Sequence, residues 1–126
     1  MIDYAAAGEL LERYGAARRT FAGDDWVALF SDDAEYHVDP FAAPLVGHNA
    51  LRAWLNGAAE AQRDVEFTVE RHWVSGSTVL AAWHASWIGK VDGARARSAG
   101  FLTADVAPDG RIARCREWSV MAPTAV

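Results

Sequence analysis

Cysteine and proline are scarce in this sequence: its 126 residues contain one cysteine, Cys115, and four prolines. A single cysteine excludes an intrachain disulfide framework and a cysteine-based metal site. It also favours the reducing environment inside the cell, so we expect a cytoplasmic protein. No run approaches the roughly 18 consecutive apolar residues that a membrane-spanning helix needs. The N-terminal residues are acidic and interrupted by Gly8, unlike the cationic and then apolar start of a signal peptide.

Basic residues are fewer than acidic residues in this sequence. The chain has 12 lysines and arginines against 17 acidic residues, for a net charge of −5, and the basic residues form no cluster. Nucleic acids and anionic membranes are bound by concentrated cationic faces, so we expect neither as a partner. No group of residues has metal-ligand spacing, and no glycine-rich run joins a strand to a helix as a phosphate-binding loop does. We therefore expect no metal and no cofactor.

What the chain has in quantity is apolar side chains. Hydrophobic residues make up 52% of the sequence, and six of them are tryptophans. A chain of this length forms one domain of ordinary size, which buries roughly two-thirds of the surface of its unfolded chain. We expect a single domain, residues 1–126, with a full core. Tryptophans in this number usually line a pocket or an interface.

The first half of the chain has the spacing of apolar residues that is typical of helices. This spacing predicts a first helix over residues 3–22 capped by Asp3, a second over residues 24–30 that ends with Phe30, and a third over residues 49–61. Between the second and third helices, residues 35–39 predict a short strand. Pro40 ends it because proline cannot donate to a sheet. Residues 41–47 are expected to form a loop.

From Asp64 onward the apolar residues alternate, which indicates strands. The alternation predicts strands over residues 64–73, 79–88, 96–106 and 111–121, joined by turns that contain Gly76, Gly93 and Gly110. One face of the first of these strands carries Val65, Phe67, Val69, Arg71 and Trp73. Three helices followed by a four-stranded antiparallel meander indicate an α+β fold, with helices packed on one face of a curved sheet.

The segment from Phe30 to Phe41 holds the strongest candidates for chemistry. Asp39 comes two residues after His37, so on a strand the two side chains point to one face, about 6.5 Å apart along the chain. A carboxyl group in an apolar pocket has a raised pKa and can remove a proton from carbon, and an imidazole titrates near neutrality. The alternatives are that Asp39 caps the following loop and that His37 is a solvent-facing or merely buried histidine.

Several short motifs, in one order along nearly the whole chain, carry a resemblance to a known superfamily. They are Glu-Arg-Tyr at 12–14, Gly-Asp at 23–24, Leu-Phe-Ser-Asp-Asp-Ala at 29–34, Val-Asp-Pro at 38–40, glycine at 47 with Ala-Leu-Arg at 50–52, Asp-Gly-Arg-Ile at 109–112 and Arg-Glu-Trp at 116–118. In this order they resemble the NTF2-like superfamily, with its SnoaL-like and ketosteroid-isomerase-like families. The resemblance implies a cone (a cystatin-like α+β barrel) of three N-terminal helices on a curved antiparallel sheet. It also implies a small-molecule pocket at the open end and a homodimer contact on the convex face.

The resemblance implies roles for two residues. Asp39 stands where ketosteroid isomerases keep their general base, and Tyr14 stands where they keep a tyrosine that donates a hydrogen bond to the substrate oxygen. The second acid of those enzymes is missing from residues 98–106 until Asp105, and Trp54 replaces their third-helix tyrosine. Half of the oxyanion-binding group is therefore absent, and we do not expect steroid isomerisation. The alternative for Tyr14 is a core aromatic ring with a satisfied hydroxyl.

Glu117 is a further candidate, within the Arg-Glu-Trp segment at residues 116–118. This segment resembles the Arg-Asp-Tyr of limonene-epoxide-hydrolase-like proteins, in which the acid activates water. The arginine and aspartate that assist that acid are replaced here by Trp83 and Ala85, so an epoxide hydrolase is disfavoured. The roles left open for Glu117 are a base, a partner of His37 or a partner of an arginine.

The residues that the resemblance places around the pocket are mostly aromatic. They are Phe41, Trp54, Phe67, Trp83, Trp87 and Cys115. Such a lining suits a flat or greasy ligand, and the alternative is that these side chains only fill a core. Trp73 and Trp118 suit the convex dimer face better than a site.

These observations predict a cofactor-independent SnoaL-like enzyme that moves a proton on a small hydrophobic, carbonyl-bearing substrate by isomerase, cyclase or dehydratase chemistry. Asp39 is the expected base, assisted by His37, Tyr14 and Glu117. The alternative is a non-catalytic NTF2-like module that binds a ligand or serves for dimerisation, because a fold does not by itself fix a function.

Overall fold

The computed structural model describes residues 1–123. Its helices and strands follow the order expected from the sequence, with one short strand in addition. The helices are α1 (Tyr4–Thr20), α2 (Gly23–Val27) and α3 (His48–Ala61). The strands are β1 (Phe30–His37), β2 (Leu45–Val46), β3 (Gln62–Ser75), β4 (Thr78–Gly89), β5 (Arg95–Val106) and β6 (Ile112–Met121).

The first helix begins and ends close to where its sequence predicts. The side chain of Asp3 accepts a hydrogen bond of 2.7 Å from the backbone N–H of Ala6, which satisfies one of the free donors of the first turn. At the other end Phe21 adopts a left-handed conformation, with φ of 53°, and closes the helix. Arg18 and Arg19 occupy the last turn, where the helix dipole favours positive charge.

The strands of residues 1–123 form one sheet in the order β2-β1-β6-β5-β4-β3. Neighbouring strands are antiparallel except β1 and β6, which are parallel. The predicted α+β fold is confirmed, with the short strand β2 formed inside a segment that was expected to be a loop. The sheet is open and does not close into a barrel, because β2 and β3 remain its two edges.

The segment around Phe30 differs from its prediction. Phe30 opens β1 instead of ending α2, and β1 ends at His37 instead of Asp39. The cause is pairing with a distant strand: Phe30 is in register with Ile112, whose backbone N–H donates to the carbonyl of Leu29 at 2.8 Å. A few apolar residues at helical spacing give only a weak preference for a helix, and tertiary contacts override it.

A β-bulge interrupts β3, so residues that simple alternation predicts on one face of the strand lie on two different faces. Phe67 is buried and in register with the buried Ala85, whereas the register shifts between Val69 and Arg71. One extra residue moves all later side chains to the opposite side of a strand. Trp73 is therefore exposed on the outer face, and the expectation that Phe67 and Trp73 share a face is wrong.

The core lies between the helices and the inner face of the sheet. Trp26 of α2 is fully buried, and its ring makes edge contacts with Phe30 and Tyr36 of β1. The same ring stacks on Trp54 of α3 at a centroid distance of 5.5 Å. Burying one large apolar side chain contributes roughly 1.5–3 kcal/mol. This packing fixes Tyr36 and Trp54, two side chains that border the candidate site.

Candidate functional site

Glu117 on β6 is a buried carboxyl group at the inner face of the sheet. It is in register with the buried Leu102 of β5, and its side chain is only 8% exposed. The hydroxyl of Tyr14, on α1, donates a hydrogen bond to its Oε1 atom. Because a buried carboxylate is costly unless it is paired and hydrogen-bonded, Tyr14 supplies a donor where one is needed. Two of the residues predicted for chemistry are thus in direct contact.

Arg18, one helical turn after Tyr14, brings a positive charge to the same oxygen. Its Nη1 atom lies 3.2 Å from Oε1 of Glu117, and 16% of its side chain is exposed. Residues four apart share one face of a helix, so α1 presents the phenol and the guanidinium together. The guanidinium also lies 4.8 Å from the ring centre of Trp54 and 5.4 Å from that of Phe67, which are cation–π distances.

Tyr36 completes the cluster from β1. Its hydroxyl lies 3.5 Å from that of Tyr14 and 3.4 Å from Nη1 of Arg18. Burial, and after it the charge of Glu117, raises the pKa of both tyrosines well above their ordinary value. Burial alone would lower the pKa of Arg18, but these neighbours raise it above its ordinary value. At neutral pH two neutral phenols and one guanidinium therefore surround the carboxyl group of Glu117.

These contacts use only one oxygen of Glu117. Tyr14 and Arg18 both reach Oε1, and no group within residues 1–123 donates a hydrogen bond to Oε2. In the same part of the chain, the buried side-chain nitrogen and oxygen atoms that lack a partner are the indole nitrogens of Trp26 and Trp83. The carboxyl group is held by one oxygen, and the other makes no hydrogen bond within residues 1–123.

Glu117 also lines a pocket at the end of β1. The pocket has a volume of about 250 Å³, and its other lining residues are His37, Pro40, Ala42, Arg116 and Trp118. His37 and Arg116 are in register across the parallel pair of β1 and β6. The pocket therefore places an imidazole, a guanidinium and an apolar wall next to the carboxyl-bearing residue.

Asp39 lies outside the Tyr14 cluster. It follows the end of β1, it is exposed, and its Oδ1 accepts a hydrogen bond of 2.9 Å from the backbone N–H of Phe41. Aspartate favours this arrangement in turns, where it caps the backbone two residues on. Phe41, expected to line the pocket, is 97% exposed. Within residues 1–123 no hydrogen bond joins Asp39 to Tyr14 or Glu117.

His37 faces away from the buried cluster, toward Glu35. Its Nε2 atom lies 3.2 Å from Oε1 of Glu35, whose Oε2 accepts a hydrogen bond from Arg114 at 3.4 Å. The bond to His37, and after it the charge of Arg114, lowers the pKa of Glu35. Successive side chains of a strand face opposite sides, so the buried Tyr36 separates this pair from the core. His37 and Glu117 are both among the residues that line the pocket at the strand end.

The other residues expected around the pocket are divided between the core and its rim. Phe67 and Trp83 are buried and stack with ring centres 5.2 Å apart. Cys115 is fully buried, and burial raises the pKa of its thiol. Trp54 and Trp87 are half-buried. Trp83 and Cys115 thus belong to the buried core.

The polar groups that the cluster offers are one carboxyl group, two phenols and one guanidinium. Among residues 1–123, no three or more histidine, cysteine, aspartate or glutamate side chains are grouped so that they could hold a metal ion. In the same range, none of the helices combines the length and the apolar character that crossing a bilayer requires.

Residues 11–115 match the family model of the SnoaL-like domain. The chain belongs to the SnoaL-like family. The match starts in α1, before Tyr14, and ends at Cys115 in β6, so it includes most of the fold. The superfamily indicated by the sequence motifs is thereby confirmed. No curated protein matches the sequence significantly.

Many solved structures share the fold of this SnoaL-like domain, with 375 matching chains. One is the epoxide hydrolase/cyclase-like enzyme SalBIII, with a role in pyran ring formation in the polyether salinomycin; it is 19% identical over 95% of both chains, with a TM-score of 0.84. Another is a hypothetical protein of ketosteroid-isomerase-like fold from Catenulispora acidiphila, in complex with trimethylamine. It is 14% identical over 87% of this chain and 84% of that chain, with a TM-score of 0.79. A computationally designed 17-OHP binder is 18% identical over 93% of this chain and 98% of that chain, with a TM-score of 0.78.

Two members of the cluster in this SnoaL-like domain, Arg18 and Tyr36, are missing from the residues that the sequence predicts for the site. Both nevertheless leave a signal in the sequence. Arg18 follows Tyr14 by four residues, the spacing at which helical side chains meet. Tyr36 alternates with the apolar Ala34, a spacing that marks the inner side of β1. The other side of the same stretch carries the polar residues Glu35, His37 and Asp39.

Proposed function

We propose that this SnoaL-like domain is a cofactor-independent enzyme that moves a proton on a small hydrophobic, carbonyl-bearing substrate, with Glu117 as the proton-carrying group. The observation that carries the proposal is the carboxyl group of Glu117, held at Oε1 by Tyr14 and Arg18 while Oε2 has no partner. General acid–base catalysis needs a group within hydrogen-bond reach of the reacting atom and fixed in its orientation. Tyr14 and Arg18 fix the orientation of the Glu117 carboxyl group, and the proposal places its Oε2 atom within reach of the substrate.

The reaction starts when Oε2 of Glu117 takes a proton from the carbon next to the substrate carbonyl. The electrons of the broken C–H bond move toward the carbonyl oxygen, so an enolate forms while the carboxylate becomes a carboxylic acid. Return of the proton to a second carbon isomerises the substrate. Its transfer to a hydroxyl leaving group releases water, as in a dehydratase. In a cyclase the enolate carbon attacks a second carbonyl, and the proton goes to the alkoxide that forms.

The neighbours of Glu117 hold its charge and its orientation during these steps. Tyr14 and Arg18 fix Oε1, which leaves Oε2 to face the substrate. Arg18 keeps its positive charge because its neighbours raise its pKa. A fixed positive charge in a site of low exposure stabilises negative charge on the carboxylate or on the enolate that replaces it. The same Nη1 atom of Arg18 also donates to the hydroxyl of Tyr36, at 3.4 Å.

Asp39 and His37 have smaller parts in this proposal. In this proposal Asp39 caps the loop after β1, where its carboxylate accepts a hydrogen bond from the backbone N–H of Phe41. His37 forms part of the pocket wall, and Glu35 orients its ring through the contact of 3.2 Å between Oε1 of Glu35 and Nε2 of His37. Asp39 as the base remains the competing proposal, and it needs a rearrangement of this loop to bring its carboxyl group to Tyr14.

Two proteins of similar fold support a small-molecule ligand. SalBIII is an epoxide hydrolase/cyclase-like enzyme, and another relative in structure is a designed 17-OHP binder. Both are less than 25% identical to this chain, so they support the class of ligand and leave its chemistry to the site.

Hydrogen exchange at carbon tests the proposal. Wild-type and Glu117→Gln proteins are incubated in heavy water with a panel of enolisable ketones, including polyketide-like compounds, and NMR follows the protons next to the carbonyl. Glutamine keeps the size of the side chain and an oxygen for Tyr14, but it cannot take up the proton. We expect the wild type to exceed the buffer rate and the variant to lose roughly 100-fold or more. Equal exchange by the two proteins would contradict the proposal.

A non-catalytic binding module is the second candidate. The stacked aromatic rings between the helices and the sheet favour it. Trp26 stacks on Trp54 at 5.5 Å, and Phe67 stacks on Trp83 at 5.2 Å. In such a module the buried ion pair serves stability alone, and a ligand is bound without reaction. Saturable binding of ketones by the wild type, with no exchange of any of them, would favour this candidate.

We also propose that the chain forms a homodimer through the convex face of its sheet. On this face Trp73 and Phe101 lie with ring centres 6.0 Å apart, and Val120 is exposed. Exposed apolar patches on a sheet mark interaction surfaces. Analytical ultracentrifugation should show a dimer for the wild type and a monomer for Val120→Asp. A monomeric wild type at high concentration would contradict this part of the proposal.

A further inference from the structure

The pocket beside Glu117 contains a cation that the proposed reaction does not use. Arg116 is exposed and lines this pocket. Within residues 1–123 it pairs with no acidic side chain, whereas Arg114, on the same strand and the same side, pairs with Glu35 at 3.4 Å. The guanidinium of Arg116 is therefore available to an anion that enters the pocket.

Glu117, the acidic residue among those that line the pocket, and Glu35, the partner of His37, both have cationic partners. Glu35 is shared between Arg114 at 3.4 Å and His37 at 3.2 Å. Glu117 is paired with Arg18 at 3.2 Å. Because these partners offset the charges of Glu117 and Glu35, Arg116 contributes a positive charge that no acidic lining residue offsets. This environment favours an anionic ligand.

Arg116 and Glu117 are neighbours on a strand, so their side chains leave it on opposite sides. One small ligand can reach both only where the edge of the strand is uncovered. β1 ends at His37, which is in register with Arg116, so within residues 1–123 β6 has no partner on this side from Glu117 onward. The pocket lies at that uncovered edge, and Arg116 and Glu117 are both among its lining residues.

The rest of the pocket wall is apolar, formed by Pro40, Ala42 and Trp118. Its volume of about 250 Å³ lies below the roughly 300–1,000 Å³ of most small-molecule pockets, which limits the ligand to a short chain or a single ring. An arginine next to an indole and a proline suits a molecule with a charged end and an apolar end.

We propose that this pocket takes a small oxo acid, a carbonyl compound that also carries a carboxylate. The carboxylate binds Arg116, the apolar part packs against Trp118, and the acidic C–H bond lies at Glu117. A guanidinium binds a carboxylate through two parallel hydrogen bonds, which gives strength and a defined orientation. The inference rests on the proposed proton transfer and adds the charge of the substrate to it.

Phenylpyruvate and its neutral methyl ester test the inference, because they share the ring and the ketone and differ in charge. Calorimetry measures the binding of each to the wild-type, Arg116→Gln and Arg97→Gln proteins, and NMR in heavy water measures exchange of the protons next to the ketone. Arg97 is an exposed arginine of β5 that does not line this pocket, so Arg97→Gln is the matched control.

We expect the wild type and Arg97→Gln to bind the acid at least about tenfold more tightly than the ester, a factor worth roughly 1.4 kcal/mol. Arg116→Gln should lose this preference. Equal affinity for acid and ester, a preference that survives in Arg116→Gln, or no binding of either compound would overturn the inference. Preference for the acid through Arg116 without proton exchange would uphold the anion site and contradict the proposed reaction.

Discussion

The phenol of Tyr14 on α1 donates its hydrogen to Oε1 of Glu117 on β6, and so joins two residues that lie 103 positions apart in the sequence. Arg18 reaches the same oxygen from the same helix, at 3.2 Å. These two bonds fasten the first helix to the last strand across the core. The stability of the fold and the proposed proton transfer therefore depend on one set of contacts.

Replacing Tyr14 by phenylalanine removes this donor and keeps the ring in the core. Hydrogen bonds to charged groups contribute about 1.5–3 kcal/mol, so we expect Tyr14→Phe to lower the free energy of unfolding by that amount. Urea denaturation measures the change. Tyr36→Phe is the control, because the hydroxyl of Tyr36 contacts Arg18 at 3.4 Å and makes no bond to Glu117. An equal loss in both variants would argue against a special role of the Tyr14 bond.

The buried ion pair predicts strong coupling between Arg18 and Glu117. Arg18→Met keeps apolar volume but leaves the carboxylate without its counter-charge, a change that costs about 3–5 kcal/mol. The double variant Arg18→Met/Glu117→Gln lacks that charge and should be more stable than Arg18→Met alone. Denaturation of the four proteins in a double-mutant cycle gives the coupling. Arg13→Met, at an exposed position of α1, should change stability by less than about 0.5 kcal/mol. Additive effects at Arg18 and Glu117 would disprove the coupling.

Alkaline pH should destabilise the protein through its buried acids. Burial raises the pKa of Tyr14 and Tyr36 well above 10.0, and that of Cys115 well above 9.0. A raised pKa means that the folded chain holds these protons after the unfolded chain has released them, so stability is full below the unfolded pKa and falls above it. We expect urea midpoints to be constant up to about pH 9 and to decline above it. The decline should be shallower in Tyr14→Phe, and an unchanged slope there would contradict the assignment.

Gly100 lies where the ring of Trp83 leaves no space for a side chain. A Cβ atom at this position would sit 2.5 Å from Cζ2 of Trp83 and would also collide with the backbone carbonyl of Trp118. Gly100→Ala should therefore lower the free energy of unfolding by about 1–3 kcal/mol. Gly57, in α3, has open space around its Cα, and Gly57→Ala should raise stability by about 0.5–1 kcal/mol. Thermal and urea denaturation compare the two, and a neutral Gly100→Ala would show that Trp83 can move.

Much of the fold can be predicted from local patterns. Alternation and turn residues place β4, β5 and β6 within one residue of their observed ends, because a period of two needs no knowledge of the partner strand. The patterns fail at Phe30 and at Val69, where a distant contact decides. Phe30 enters a strand because it pairs beside Ile112, and a bulge after Val69 turns Trp73 outward.

The site is harder to predict because it is assembled from α1, β1 and β6. The family resemblance leads to Tyr14 and Glu117, which the structure brings into contact. The same resemblance leads to Asp39. No local pattern predicts that β1 ends at His37 or that Asp39 accepts a hydrogen bond from the backbone of the following loop. Arg18 is overlooked because an arginine in the last turn of a helix usually serves the helix dipole.

The proposed reaction requires Glu117, and not Asp39, to carry the proton. The most direct test compares Glu117→Gln and Asp39→Asn on the ketone that the wild type exchanges fastest, with kcat/KM measured by NMR in heavy water. We expect a loss of roughly 100-fold or more for Glu117→Gln and a nearly unchanged rate for Asp39→Asn, whose side chain caps a loop. A full rate in Glu117→Gln together with a large loss in Asp39→Asn would exclude Glu117 and assign the base to Asp39.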